Sequence, residues 1–322
     1  MQVMSDLQLA TRRKRWATAA IKFAVAAAVV WFIRGAIVEA WTELGKHELR
    51  LDYSWLVLAG ALYLIGMIPC ALFWHRTLLA LGQRVGFGST LRAYFIGHLG
   101  KYVPGKAMVV IIRAGMIRGP GVDSSLAVAS VFYETLTMMA VGALLGAAIV
   151  ACCFHGHPLL LWAALAIMVV AGLPTLPPVF KRLARLAGMG RINPETPGKL
   201  ANLGYGTVLL GWLLNAVGWA ILGLSFWAVL RGMGLAENNF PHLPHLHVAA
   251  VALATVAGFI SMLPGGAVVR EAVLTELMIP YLGGGAALIA AVLLRLVWLT
   301  AELCIAGGLC LTPCKKLTVQ NE

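Results

Sequence analysis

Residues 124–150 carry Glu134 as their single charged side chain, and the stretches 17–38, 54–75, 158–174, 204–230 and 285–311 are similarly apolar. A bilayer core takes about 20 apolar residues per helix, so each run, the short 158–174 included, reads as a membrane span. Two more stretches, 87–118 and 246–280, are apolar in large part but carry more charges and are interrupted midway by the Pro-Gly steps Pro104-Gly105 and Pro264-Gly265. A soluble fold is excluded: 60% of the chain is hydrophobic and 12% charged, with a mean hydropathy of +0.85, against about 25% charged in soluble domains.

The net charge of +12 would suggest nucleic acid in a soluble protein, but the placement of the basic residues points elsewhere. Arg12, Arg13, Lys14 and Arg15, then Arg76, Arg84 and Arg92, then Lys181, Arg182, Arg185, Arg191 and Lys199, and finally Lys315 and Lys316 gather between apolar runs. If the six uninterrupted runs cross and the two broken segments enter and leave on one side, all these groups fall on the cytoplasmic face. The outside then receives only Lys46, Arg50 and Arg231 among the loop cations, which satisfies the positive-inside rule. Full crossing by both broken segments would put the 181–199 loop outside, against that bias. The expected fold is therefore an all-α integral membrane protein of about six full spans plus two re-entrant segments, with both termini cytoplasmic. Lys22 and Arg34 bracket too short an uncharged core, with no clear cleavage site after it, so the first span is expected to be retained rather than removed as a signal peptide.

This orientation exposes an inverted repeat. A single polytopic domain, 1–322, divides into a tail and first span (1–50), a first repeat (51–153), a connecting span with a basic cytoplasmic loop (154–203) and a second repeat (204–314). YVPGKAMVVIIRAGMI (102–117) aligns with MLPGGAVVREAVLTELM (262–278), Pro-Gly on Pro-Gly. Glu134 and Arg295 lie at nearly the same distance beyond those prolines, so opposite charges occupy equivalent positions. Inverted repeats with broken helices at mid-membrane are a design of secondary transporters.

GKYVPGKA (100–107) has the spacing of a nucleotide-binding P-loop up to Lys106, but Ala107 stands where that motif needs a hydroxyl for Mg²⁺. Its flanks are membrane helix rather than strand, and Asp6, Asp52 and Asp123 all fall in loops, so an ATP site is not expected. What remains is a helix start. Pro104 and Gly105 break the chain, and the new helix presents free N–H groups and a positive dipole end to an anion, with Lys101 and Lys106 beside it and Arg113 further along. In the second repeat Pro264, Gly265 and Gly266 permit close backbone approach, followed by Arg270 and Glu271. Snorkelling lysines on a kinked helix would explain one such element, but two at matching positions argue for ligand sites.

Charges inside membrane spans are costly and mark function or static pairing. Beyond the residues just named these are Glu134, Glu276, Arg295 and Glu302, with Glu134 or Glu302 a candidate for carrying a coupling proton. His155, His157, His242, His245 and His247 fall on expected external loops and are read as solvated, so no metal site is expected. Cys70, Cys152, Cys153, Cys304, Cys310 and Cys314 form no CxxC pair and are read as packing residues. No cofactor is implied.

GHLGKYVPGK…R (97–113) with VFYETL (131–136), and LPGGAVVREAVL (263–274) with LLRLVWL (293–299), resemble the two signature regions of the flippase-like membrane domain of lysylphosphatidylglycerol synthases. The resemblance spans roughly 50–315. It implies movement of an aminoacylated phospholipid between leaflets, while a separate soluble domain makes that lipid. The chain ends soon after its last span, so a member without the synthase domain is expected. Thr135 follows Glu134 where many relatives carry Arg, so no role for that Arg carries over.

The sequence thus predicts a lipid translocator in the cytoplasmic membrane that moves an anionic or aminoacylated phospholipid through two broken-helix phosphate sites. The alternatives are a membrane enzyme acting on lipid-linked phosphate and a non-transporting lipid-binding subunit. The expected partner is phospholipid and not nucleic acid, with a lipid-modifying enzyme and a homodimer left open.

Overall fold

The computed structural model describes residues 51–103, 107–119, 121–153, 162, 166, 168–186, 196–234 and 244–312. The expected spans 17–38 and most of 158–174, and the residues Pro104, Gly105, Lys106, His155, His157 and His242, lie outside the described residues.

Four long helices are apolar enough to cross a membrane: α1 (Tyr53–Ala80), α4 (Ser124–Cys153), α7 (Tyr205–Gly232) and α10 (Gly284–Leu311). Between them run the two broken segments. The first is α2 (Phe87–His98), a 3-10 turn (Leu99–Tyr102) and α3 (Ala107–Met116); the second is α8 (Pro244–Ile260), a 3-10 turn (Pro264–Gly266) and α9 (Val269–Leu282). The short helices α5 (Pro177–Leu186) and α6 (Thr196–Leu200) lie between the halves. Among the described residues, the structure is an all-α bundle of four spans.

Sequence sets the helix ends. The Asp52 carboxylate accepts the Ser54 N–H at 2.9 Å, and Asp123 accepts those of Ser125 and Leu126 at 2.7 and 3.1 Å; each carboxylate takes up N–H groups the first turn would leave orphaned. The helix α1 outruns its apolar stretch by five residues at the C-terminal end, where Arg76 and Thr77 continue the helix to Ala80 and the Thr77 hydroxyl donates to the Phe73 carbonyl at 3.0 Å.

The helices α1 and α7 form the central pair. Lipid supplies no hydrophobic drive for helix association, so close van der Waals approach at small residues takes its place. Gly66 and Gly218 meet here: a Cβ on Gly218 would lie 2.9 Å from the Gly66 carbonyl oxygen. Ser225 adds a hydroxyl bond to the Ala59 carbonyl at 2.7 Å. Around this pair the halves exchange contacts reciprocally, the mark of an internal repeat. α4 packs on α8 and α10 packs on α2, while α1 and α7 each touch both α4 and α10.

Within each broken segment the arms lie against one another. At 12 and 10 residues, α2 and α3 are each far below the roughly 20 residues that a crossing needs. Placing Leu at Gly218 is expected to force α1 and α7 apart and cost about 1–3 kcal/mol, the usual penalty of overpacking. A fall in the detergent melting temperature checks this, and an unchanged value would contradict the packing account.

Candidate functional site

On α3, an otherwise apolar helix, the buried residue is Arg113. The cause lies in the helix beneath it. Gly97 and Gly100 let α3 lie flush on the end of the first arm: a Cβ on Gly97 would sit 2.4 Å from Arg113 Cγ, and one on Gly100 would sit 2.6 Å from the Val109 nitrogen. Arg113 is thereby turned inward. It donates to Glu134 Oε2 on α4 at 2.7 Å, and its guanidinium lies over the Tyr94 ring at 3.8 Å and the Trp74 ring at 5.5 Å. Tyr94 completes the group by donating its hydroxyl to the other Glu134 oxygen at 3.1 Å.

The second half repeats this with the charges exchanged. Glu271 on α9 accepts from Arg295 on α10 at 2.6 Å, both side chains being buried. Glu271 therefore pairs neither with its neighbour Arg270 nor with a group elsewhere on α9. Arg295 and Glu302, which share a face of α10, serve different partners. Glu302 reaches across to the first half, where Lys101 donates to it at 2.5 Å and Tyr63 donates to the same oxygen. Glu276, expected within the membrane set, is exposed.

The second Pro-Gly turn meets the 3-10 turn Leu99–Tyr102 of the first broken segment. Gly265 faces the Tyr102 ring, which a Cβ would contact at 2.8 Å, and lies beside an Arg295 nitrogen; Gly266 sits against the Gly258 backbone at a similar approach. Both glycines have positive φ, 60° and 68°, a conformation that a side chain opposes. Val268 follows at φ 69°, ψ −53°, with the Val269 N–H donating to the Ala267 carbonyl at 2.8 Å. This is a γ-turn of the rare, strained kind, and α9 starts directly from it without a side-chain cap.

Arg270, in the first turn of α9, is buried and stacks over Trp298 at 4.3 Å. Trp298 in turn stacks on Tyr63 at 4.3 Å and donates its indole N–H to Ser225. Among the described residues Arg270 makes no ion pair, and its Nη2 has no hydrogen-bond partner. Lys101, Arg113 and Arg295 each have a carboxylate. The cluster therefore pairs three carboxylates with three cations and leaves one buried guanidinium over.

Of the residues expected from sequence, the structure brings together Lys101, Arg113, Glu134, Gly265, Gly266, Arg270, Glu271, Arg295 and Glu302, with Pro264 at the start of the second turn. His245 and His247, expected on a loop, instead fall in the first turn of α8, and His247 is buried. Among the described residues no group of three or more His, Cys, Asp or Glu could hold a metal ion.

The sequence matches the lysylphosphatidylglycerol synthase TM region over residues 19–305, a range that contains every residue of this charge cluster. The chain belongs to that family. It is a multi-pass integral membrane protein of the flippase-like kind, and the family is associated with lysylphosphatidylglycerol translocation across the membrane. The matched region is the non-catalytic membrane module of these proteins. No curated protein matches the chain.

Sequence reasoning did not single out Tyr63, Tyr94, His98 or Tyr102, all of which line the charge cluster. One signal was present: Tyr94, His98 and Lys101 are spaced four and three apart, a single helical face aimed at Glu134 and Glu302.

Breaking a buried ion pair strands a charge and costs about 3–5 kcal/mol, whereas replacing both partners with apolar groups is often neutral. Glu134→Gln is therefore expected to destabilise strongly, and Arg113→Met with Glu134→Met to recover most of the loss, as read by thermal unfolding in detergent. Equal losses in the single and double variants would contradict the pairing.

Proposed function

We propose that the phosphodiester of a phospholipid headgroup is the charge that Arg270 lacks, and that the protein carries this headgroup between leaflets through the paired broken helices. The observation that carries the reading is the buried guanidinium without a carboxylate, at the uncapped start of α9. A helix start offers N–H groups and a positive dipole end to an anion, and no side chain caps the start of α9. In the unliganded protein the Trp298 face partly compensates the cation, by about 2 kcal/mol when desolvated. An arriving phosphate would supply full charge and bidentate hydrogen bonds.

Lys101, Lys106 and Arg113, with the turn at Pro104 and Gly105, form the equivalent site in the first half. There the arginine is already held by Glu134, so phosphate must compete with a carboxylate. The charge reversal between halves thus makes one site open and the other latched, which suits a carrier that exposes its sites in turn. Recognition at phosphate tolerates anionic and aminoacylated headgroups alike. The broken segments are read as re-entrant, since their arms are short and pack together, and the repeats 51–153 and 204–314 as inverted copies, with 1–50 and 154–203 as flanking and connecting parts. On this reading both termini are cytoplasmic, and an enzyme that makes the lipid, or a second copy of the chain, is a natural partner.

The enzyme reading finds no support in the one close acidic pair on α9, because Glu271 is buried and Glu276 is exposed. A purely lipid-binding subunit differs from a carrier in one measurable respect. In sealed proteoliposomes with fluorescent phosphatidylglycerol or phosphatidylethanolamine, wild type should equilibrate label between leaflets. Arg270→Ala should slow this by roughly tenfold or more, since a hydrogen bond to a charged group is worth about 1.5–3 kcal/mol. Movement at the wild-type rate by folded Arg270→Ala would refute the site.

Topology has its own test. On a cysteine-free background, Glu48→Cys should react with an impermeant maleimide in intact cells and Glu195→Cys only after lysis. The reverse pattern would refute the orientation.

A further inference from the structure

His98, the last residue of α2, lies where the ion-pair groups of the two halves meet. Its Nδ1 is 3.4 Å from Arg113 Nη2. Its Nε2 is 3.0 Å from Lys101 Nζ and 3.7 Å from Glu302 Oε1. The ring stacks over Tyr94, one turn earlier on α2.

This arrangement poses a proton-counting problem. Arg and charged Lys are donors without a lone pair, and a neutral imidazole has one N–H and one acceptor nitrogen. With a donor-only cation at each ring nitrogen, whichever tautomer forms must aim its N–H at a positive charge. The shorter contact fits Lys101 donating to Nε2, which leaves the Nδ1–H facing Arg113 across the longer gap. An added proton has one favourable destination among the groups packed around the ring. Tyr94, Tyr63 and Tyr102 are neutral phenols, Arg113, Arg270, Arg295 and Lys101 are cations, and Glu134 is occupied by Arg113 and Tyr94. Glu302 remains, with its Oε2 buried and without a hydrogen-bond partner.

Access follows the same line. Side-chain exposure is 18% for His98 and 21% for Lys101, but 3% for Glu302. The more accessible His98 ring thus stands with Nε2 3.7 Å from a carboxylate that is itself buried, which makes the ring a route for a proton to Glu302.

We propose that lipid movement by this protein is coupled to protons, with His98 relaying a proton to Glu302 and so releasing the Lys101–Glu302 contact that ties the two halves together. The proton first bonds to Nε2, giving an imidazolium. That N–H bond then breaks as an O–H bond forms on Glu302, and the ring returns to neutral. Glu302 becomes an uncharged acid, the attraction across the halves is lost, and Lys101 keeps its charge without a counter-ion. It is then free for the lipid phosphate. Deprotonation of Glu302 restores the contact and completes one cycle, with one proton taken up and one given back.

The inference rests on the carrier reading above, so two measurements are needed. In sealed proteoliposomes, a pH gradient imposed across the membrane should accelerate fluorescent lipid movement by wild type, and a pH dye should report proton flux that requires the lipid. His98→Gln, which keeps hydrogen bonding but cannot hold the extra proton, should lose the response to the gradient. Lipid movement by wild type that ignores the gradient, or a His98→Gln variant that responds like wild type, would overturn proton coupling and leave the carrier reading intact. If no lipid moves at all, the carrier reading fails, and the relay is judged by histidine-labelled NMR of the full chain in nanodiscs. The His98 ring signal, assigned by its loss in His98→Gln, should change its tautomer or protonation with pH and shift its midpoint in Glu302→Gln. A ring whose state is indifferent both to pH and to Glu302→Gln would overturn the relay.

Discussion

Holding ionised groups inside a bilayer is the constraint on which this structure depends. The groups must be paired, sequestered from lipid and met by aromatic faces, because hydrocarbon offers them nothing. Arg113 with Glu134 and Arg295 with Glu271 meet that requirement between helices of the same half, and Lys101 with Glu302 meets it between halves. The packing is arranged around these contacts. Gly97 and Gly100 are small so that Arg113 can turn inward, and Gly265 is small so that the second Pro-Gly turn can sit on Tyr102 beside Arg295.

The two halves build the same kind of interhelical pair with opposite polarity: Arg113 on α3 with Glu134 on α4, and Glu271 on α9 with Arg295 on α10. Among the described residues Arg270 has no carboxylate partner, and that is why it stands out. A static bundle would have little reason to keep an unpaired guanidinium buried beside a strained turn. A carrier that must bind and release an anion has one.

Much of this was legible in the sequence. The four long spans and the interruption of the two segments between them follow from apolar run length and Pro-Gly placement. These signals are local and one-dimensional, so they survive without a structure. Partner choice was less accessible. Glu271 lies beside Arg270 in the chain, yet pairs with Arg295, because on a helix adjacent residues point about 100° apart and α10 lies on the Glu271 side. His98 escaped notice for a similar reason: its significance comes from Glu302 and Arg113, which reach it from other helices. His247 was misplaced because Pro244 starts α8 rather than ending a loop, as a proline at a first helical position does.

The most direct test of the account is a cryo-electron microscopy structure of the protein in phosphatidylglycerol nanodiscs. The account predicts headgroup phosphate density within hydrogen-bonding distance of the Arg270 guanidinium, at the start of α9 and beside Gly265 and Gly266. Headgroups confined to the outer surface of the bundle, with Arg270 paired to a carboxylate of the protein, would contradict it.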